Sequence, residues 1–205
     1  MSEDKPNRAN SKRPREKGEK KPPKKITKTY LHNSGLYYLE RFAASKNHFR
    51  TVMGRKVRRS CNYHKDQDYE ECLKLVDELA DQFESSGLLD DTAYLRGMIT
   101  SLRRRGLSRK AIIAKLLAKG LSSGQITAAL QTHDEEEYPG GMNVELLAAI
   151  KQARKKRLGP FDILQKHEHE KSLATMARAG FSYDIASKVL EMDLKEAEEM
   201  VSNSI

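Results

Sequence analysis

The sequence predicts an all-α chain arranged as a tandem array of small helical units, and three observations carry that expectation. The first is composition: 33 % of the 205 residues are charged, aromatics make up 6 % and Trp is absent. The chain is correspondingly rich in Leu, Ala, Lys, Arg and Glu, which propagate helices well. The second is period, because apolar residues recur three and four apart and so share one helix face. The third is a repeated corner. Gly106-Leu107-Ser108 leads to Ile112 and Leu116, Gly120-Leu121-Ser122 to Ile126 and Leu130, and Gly180-Phe181-Ser182 to Ala186 and Leu190, at identical offsets. In each copy glycine ends a helix in the left-handed conformation, Leu or Phe fills the corner and Ser caps the next helix. Three matched copies point to a tandem array. A hydrophobic content of 38 % suits several thin cores better than one deep one.

Taken in order, residues 1–28 hold four prolines, no aromatic and one large aliphatic besides Met1, namely Ile26. They bury too little to offset the entropy of ordering, so they read as a disordered basic tail, either solubilising or serving as an arm that speeds encounter with nucleic acid. Tyr37 to Phe42, with Ser45, Phe49, Val52, Met53 and Val57, forms a divergent first unit over 29–65. A helix opens at Asp68, with Glu71 three residues on, and buries Cys72, Val76, Leu79 and Phe83 before closing near Gly87. The next runs from Asp90 or Asp91 to Gly106, and a third from Ser108 to Gly120. Those three are expected to pack as one bundle within a second unit, 66–130. The acidic stretch 131–141 reads as a linker. The third unit and a C-terminal helix occupy 142–205, with helices over 144–158, 161–179 and 194–201.

Net charge is +9, and its distribution is uneven. Residues 1–28 alone carry +7, and 41–65 hold eight bases without an acid. Ten acids then crowd 66–91, whereas 92–133 contain eight Lys/Arg and no acid at all. Such blocks give separate basic and acidic faces, and a basic face binds polyphosphate by releasing counterions. The candidate contacts are Arg103, Arg104, Arg105, Arg109, Lys110, Lys115 and Lys119, then Arg154, Lys155, Lys156 and Arg157, with Arg50, Arg55, Lys56, Arg58 and Arg59 as a third cluster. A solvated helix face is the plain alternative for each.

Catalytic and metal patterns are missing. Asp90-Asp91 reads as a helix start. Cys61, His64, Cys72 and His48 lack zinc spacing, and His167-Glu168-His169-Glu170 lacks the i, i+4 histidine pair. No phosphate loop or nucleophile elbow occurs. The expectation is therefore a non-enzyme without cofactor or metal. With two cysteines, a polar opening and no run near the about 18 apolar residues a membrane span needs, it is expected in the cytoplasm and not in a membrane.

The run Gly87-Leu88-Leu89-Asp90-Asp91-Thr92-Ala93-Tyr94, continuing through Arg103-Arg104-Arg105-Gly106-Leu107-Ser108 to Lys119-Gly120-Leu121, resembles the central signature of the RecX family. Met176 to Asp184 resembles that family's closing helix joint, and Leu39-Glu40-Arg41-Phe42 with 49–59 its opening unit. The chain departs from the pattern in its basic tail, its acidic connector and Leu95, where a small residue is usual. The resemblance implies three-helix repeats forming an elongated, curved monomer. Such a protein lies along the RecA filament on single-stranded DNA and modulates its recombinase, ATPase and coprotease activities, with weak direct DNA binding. The alternative is a helix-turn-helix transcription regulator, since the Gly-Leu-Ser corners also fit that motif.

Overall fold

The structure, a computed structural model, describes residues 22–138, 143–164 and 166–202. Among these the regular structure is entirely helical: α1 (Lys28–Leu39), α2 (Lys46–Tyr63), α3 (Tyr69–Ser85), α4 (Asp91–Arg104), α5 (Arg109–Leu117), α6 (Ser123–Glu137), α7 (Val144–Lys156), a 3₁₀ turn (Gly159–Phe161), α8 (His169–Arg178), α9 (Tyr183–Glu191) and α10 (Leu194–Ser202). The all-α class is as the composition and period require. No described helix is long and apolar enough to cross a membrane.

The corners form as their residue types dictate. Gly106, Gly120 and Gly180 adopt φ of 75°, 80° and 92°, a region that side chains with a Cβ avoid. At each, the amide two residues beyond the helix donates back to it: Leu107 to Leu102, Leu121 to Leu116, and Phe181 to Met176. The serine that follows caps the next helix, Ser108 for α5, Ser122 for α6 and Ser182 for α9. At Ser122 the cap is a full capping box closed by Gln125. Asp68 and Asp90 cap α3 and α4 as their positions suggest.

Three apolar cores follow one another along the chain. The first gathers Leu31 from α1, Phe49, Met53 and Val57 from α2, and Val76, Leu79 and Phe83 from α3. The second joins Ile99 and Leu102 of α4, Ile112 and Leu116 of α5, and Ile126 and Leu130 of α6; the family-atypical Leu95 lies within it. The third joins Leu146 and Ile150 of α7, Met176 of α8, Val189 of α9 and Ala197 of α10. Helix α3 thus packs on α1 and α2, not with α4 and α5 as the bundle expected over 66–130 would have it. Its Cys72-Val76-Leu79-Phe83 stripe meets the α2 stripe, and periodicity alone does not name a helix's partner.

Three further expectations are corrected. Of the tail, residues 1–21 lie outside the described residues, but 22–27 form an ordered strap. Ile26 is buried in the first core, Gln67 accepts from the Ile26 amide and donates to its carbonyl at 2.9 Å each, and Ser60 Oγ donates to the Lys24 carbonyl at 2.9 Å. One aliphatic with a polar partner on each side suffices to order six residues. The acidic linker is helical over 131–137, because His133 and Asp134 face inward from the last turns of α6; Pro139 to Gly141 lie outside the described residues. The helix expected from Phe161 to Ala179 starts only at His169, since Asp162 turns the chain by accepting from the Lys166 amide at 3.1 Å and the His167 amide at 2.8 Å.

Successive cores are joined by one polar device used twice. Ser45 caps α2 through Oγ and also donates to the carbonyl of Lys119, at the α5–α6 corner, at 2.7 Å; the Lys46 amide donates to Asp91, in the first turn of α4, at 2.7 Å. Ser108 caps α5 and donates to the carbonyl of Ala179, at the α8–α9 corner, at 2.7 Å; the Arg109 amide donates to Glu145, in the first turn of α7, at 3.0 Å. Both serines are fully buried.

Candidate nucleic-acid interface

The residues of the acid-free block do not act together. Arg103, expected on the surface, is corrected: it is 3 % exposed. Its position on α4 is flanked by Leu102 and points between α6 and α7. There Nη2 meets Asp134 Oδ2 at 2.6 Å, Nε meets Asp134 Oδ1 at 3.0 Å, and Nη1 meets Glu145 Oε2 at 3.0 Å. Burial alone would lower its pKa, but the hydrogen bonds and charge of Asp134 and Glu145 raise it. Arg103 is thus a fixed cation between the second and third cores, inaccessible to phosphate.

Arg104 and Arg105 are exposed and open on the other side, toward the outer face of α4. There they line a groove of about 760 Å³ with Arg96, Thr100 and Ser101. Gly97, whose missing Cβ would meet nothing within 4 Å, lies at its floor. Arg96, Thr100 and Arg104 are spaced four apart and form one stripe down the helix. The one carboxylate in the lining, Asp90, accepts from the Thr92 and Ala93 amides at 2.8 and 2.9 Å. It is therefore engaged as the α4 cap and not as a counter-ion. Arg104 and Thr100 also border an adjoining cavity of about 380 Å³ that contains Lys151 of α7, held below its ordinary pKa by burial. Glu137 and Tyr138 also line that cavity.

Arg109 and Lys110 lie apart, in a cleft of about 500 Å³ between the cores that also contains Asp134 and Glu145. Lys115 is exposed on α5 and Lys119 half-buried at the α5–α6 corner, outside either groove, and Arg154, Lys155, Lys156 and Arg157 are all exposed at the end of α7. Arg157 adopts φ 56°, taking the left-handed position that glycine fills at the other corners. In the third cluster, Arg50 is paired with Asp77 at 2.9 Å and Asp81 at 3.2 Å. Arg96 is the group that sequence reasoning missed; its i, i+4, i+8 relation to Thr100 and Arg104 was the signal that could have found it.

Among the described residues no three His, Cys, Asp or Glu side chains are gathered to hold a metal. Cys72 sits in the first core, where burial and the neighbouring Cys61 push its thiol up to about 11, so it is a packing residue rather than a nucleophile.

Three serially joined helical cores with an arginine-lined outer groove define a modular all-α protein. Its relatives agree. Regulatory protein RecX of Myxococcus xanthus is 38 % identical over 182 residues, covering 86 % of this chain and 92 % of its own length. Regulatory protein RecX of Agrobacterium fabrum is 32 % identical over 181 residues, covering 86 % and 90 %. The chain belongs to the RecX family of regulatory proteins. No family model matches it. The fold is similar to the crystal structure of RecX from Lactobacillus salivarius, with a TM-score of 0.54 at 16 % identity over 84 % of this chain and 97 % of that one. A second crystal structure, of regulatory protein RecX, gives 0.56 at 18 % identity over 80 % and 72 %.

Proposed function

We propose that the chain regulates a RecA recombinase by binding the filament that RecA forms on single-stranded DNA, restraining ATP turnover, strand exchange and coprotease activity while catalysing nothing itself. The reading is supported by membership of the RecX family. The observation that carries it is the α4 groove, where Arg96, Arg104 and Arg105 face outward and the one carboxylate of the lining, Asp90, is engaged as the α4 cap. A DNA-bearing filament is an extended polyanion, and each arginine that meets a phosphate there releases counterions. The three cores act as successive contact units of one elongated, curved, cytoplasmic monomer that needs no cofactor. The chain passes from core to core at α3–α4 and α6–α7, and the serine joints tie successive cores together. A helix-turn-helix reader would need free polar groups at the start of its second helix. At α6 the Gln125 side-chain oxygen is instead closed on Ser122, so the filament reading is favoured.

The test is RecA ATPase and strand exchange on single-stranded DNA, titrated with this protein below one copy per recombinase. Inhibition at such ratios is expected. Replacing Arg96, Arg104 and Arg105 with Ala should weaken filament binding and flatten its log–log salt slope by about 0.7–0.9 for each phosphate that the variant no longer neutralises. Absence of any effect on the recombinase would overturn the reading.

A further inference from the structure

A second surface, on α1, has a chemistry the α4 groove lacks. Tyr30, Asn33 and Tyr37 are three and four residues apart and share one side of α1; Tyr30 is half-buried against the first core, while Asn33 and Tyr37 are exposed. Tyr37 is 56 % exposed, an unusual state for an aromatic of this size with nothing packed over it but a cation. That cation is Arg41, whose guanidinium carbon lies 4.2 Å from the ring centroid. The stripe forms one wall of a groove of about 460 Å³, and Lys24 and Lys56 are among its other lining residues. No carboxylate lines the groove, and α1 itself carries no acid.

The placement of the two lysines is built in. The Lys24 carbonyl is held by Ser60 Oγ at 2.9 Å, so the strap fixes Lys24 against α2 one turn from Lys56.

We propose that the α1 groove is a base-stacking site for single-stranded nucleic acid, in which the exposed ring of Tyr37, backed by Arg41, stacks a base while Lys24 and Lys56 hold the adjoining phosphates. Aromatics beside cations in one groove are the means by which single strands are held without reading sequence. A duplex, whose bases are already stacked and paired, offers this groove only its phosphates. Asn33 and the groove's hydroxyls, Thr27, Thr29 and Ser34, add hydrogen-bonding groups at base height. The inference rests on the proposed function in taking DNA as a partner, and it assigns the bases to α1, distinct from the phosphate-binding face of α4.

The experiment uses the full chain alone, without recombinase, so that it is independent of filament regulation. Binding of a fluorescein-labelled 20-nucleotide oligo-dT strand is followed by anisotropy across a salt series, beside the same length of duplex. The wild-type chain is expected to bind the single strand more tightly than the duplex. Tyr37→Ala should weaken single-strand binding about tenfold, in line with the contribution of one stacked base. Tyr37→Phe should restore it, and Lys56→Ala should weaken binding and flatten the salt slope. Tyr183→Ala, at a tyrosine 71 % exposed on α9, is the control expected to change nothing. Circular dichroism should be the same for all four variants, since none of these side chains lies in a core. Unaltered affinity in Tyr37→Ala would overturn the proposal. So would equal binding of duplex and single strand, or a loss in Tyr183→Ala matching that in Tyr37→Ala.

Discussion

The two joints between cores are built on one plan and then diverge. In both, a buried serine caps the middle helix of one core and donates to the carbonyl at a Gly-Leu/Phe-Ser corner of the next. In both, the amide that follows the serine is held by an acid in the first turn of the next core's leading helix. Beside the first joint, Lys46 and Arg50 of α2 pair with Asp77, Asp81 and Glu84 of α3 at exposures from 20 % to 60 %, within the first core and not across the joint. The second adds Arg103, 3 % exposed, on Asp134 and Glu145. Surface pairs contribute little once solvent screening is counted, whereas removing one partner of a buried pair costs about 3–5 kcal/mol. The shared plan fixes how each core meets the next, and the divergence makes the second joint the more polar and the less tolerant.

The largest expected effect breaks that asymmetry directly. Arg103→Ala strands Asp134 and Glu145, both under one third exposed, and should lower stability by about 3–5 kcal/mol in urea unfolding. Asp81→Asn, which removes an exposed α2–α3 pair beside the first joint, should shift the urea midpoint only slightly. Equal losses would mean that burial makes the Arg103 pairs no less tolerant than surface ones. The α4 groove and Arg103 share a helix, so this also separates a folding defect from a binding one: Arg104→Ala should leave the urea midpoint unchanged.

A smaller effect sharpens the shared plan. Gly120 and Gly180 are both left-handed, and a Cβ on either would cost about 1–2 kcal/mol for conformation alone. It would then meet the preceding core. At Gly120 it would overlap Asn47, 2.1 Å from Nδ2 and still 2.7 Å from Cβ, which no rotamer carries away. At Gly180 it would lie 2.5 Å from Ser108 Oγ, the joint's own hydrogen-bonding atom. Gly120→Ala should therefore lower the melting temperature at least as much as Gly180→Ala. Adding Asn47→Ala should recover part of the Gly120→Ala loss, but adding Ser108→Ala to Gly180→Ala should deepen it, because a cap worth about 1 kcal/mol goes as well.

Local devices were legible in the sequence. The glycine corners, the serine and aspartate caps and the faces of α3, α4 and α5 follow from residue type and spacing, which act within a few residues. What was not legible depends on contacts far apart in sequence. Nothing around Arg103 distinguishes it from Arg104 and Arg105; its partners lie 31 and 42 residues away. Ile26 looked too isolated to order its neighbours because Gln67, 41 residues on, supplies both hydrogen bonds. The α3 stripe announced a buried face but not that α2 would cover it. The site divides the same way: the basic block was visible as composition, while its partition into a buried cation, an outward groove and an acid-laced cleft came only with the packing of α6 and α7 against α4.

The smallest effect concerns pH. Beside the first joint, where α2 meets α3, the hydrogen bond from Lys46 holds the Asp81 carboxyl below its ordinary 3.8, and the hydrogen bonds to Asp81 and Glu84 raise Lys46 above 10.5. A depressed carboxylate contributes stability that is present above 3.8 and disappears as pH falls through its lower folded value. A raised lysine contributes stability that is present below 10.5 and disappears as pH rises through its higher folded value. The α2–α3 pairs should thus contribute evenly between about pH 5 and 9 and loosen at both extremes. Hydrogen exchange at the Lys46 amide, which is bonded across this joint to Asp91, is the local reporter. Its protection relative to that of a central amide in α2 should fall below about pH 4, and Asp81→Asn should remove most of that fall. If the acid response survives Asp81→Asn intact, it belongs to Asp91, the carboxylate that accepts the Lys46 amide across the joint, and the α2–α3 surface pairs do not reach the joint's stability.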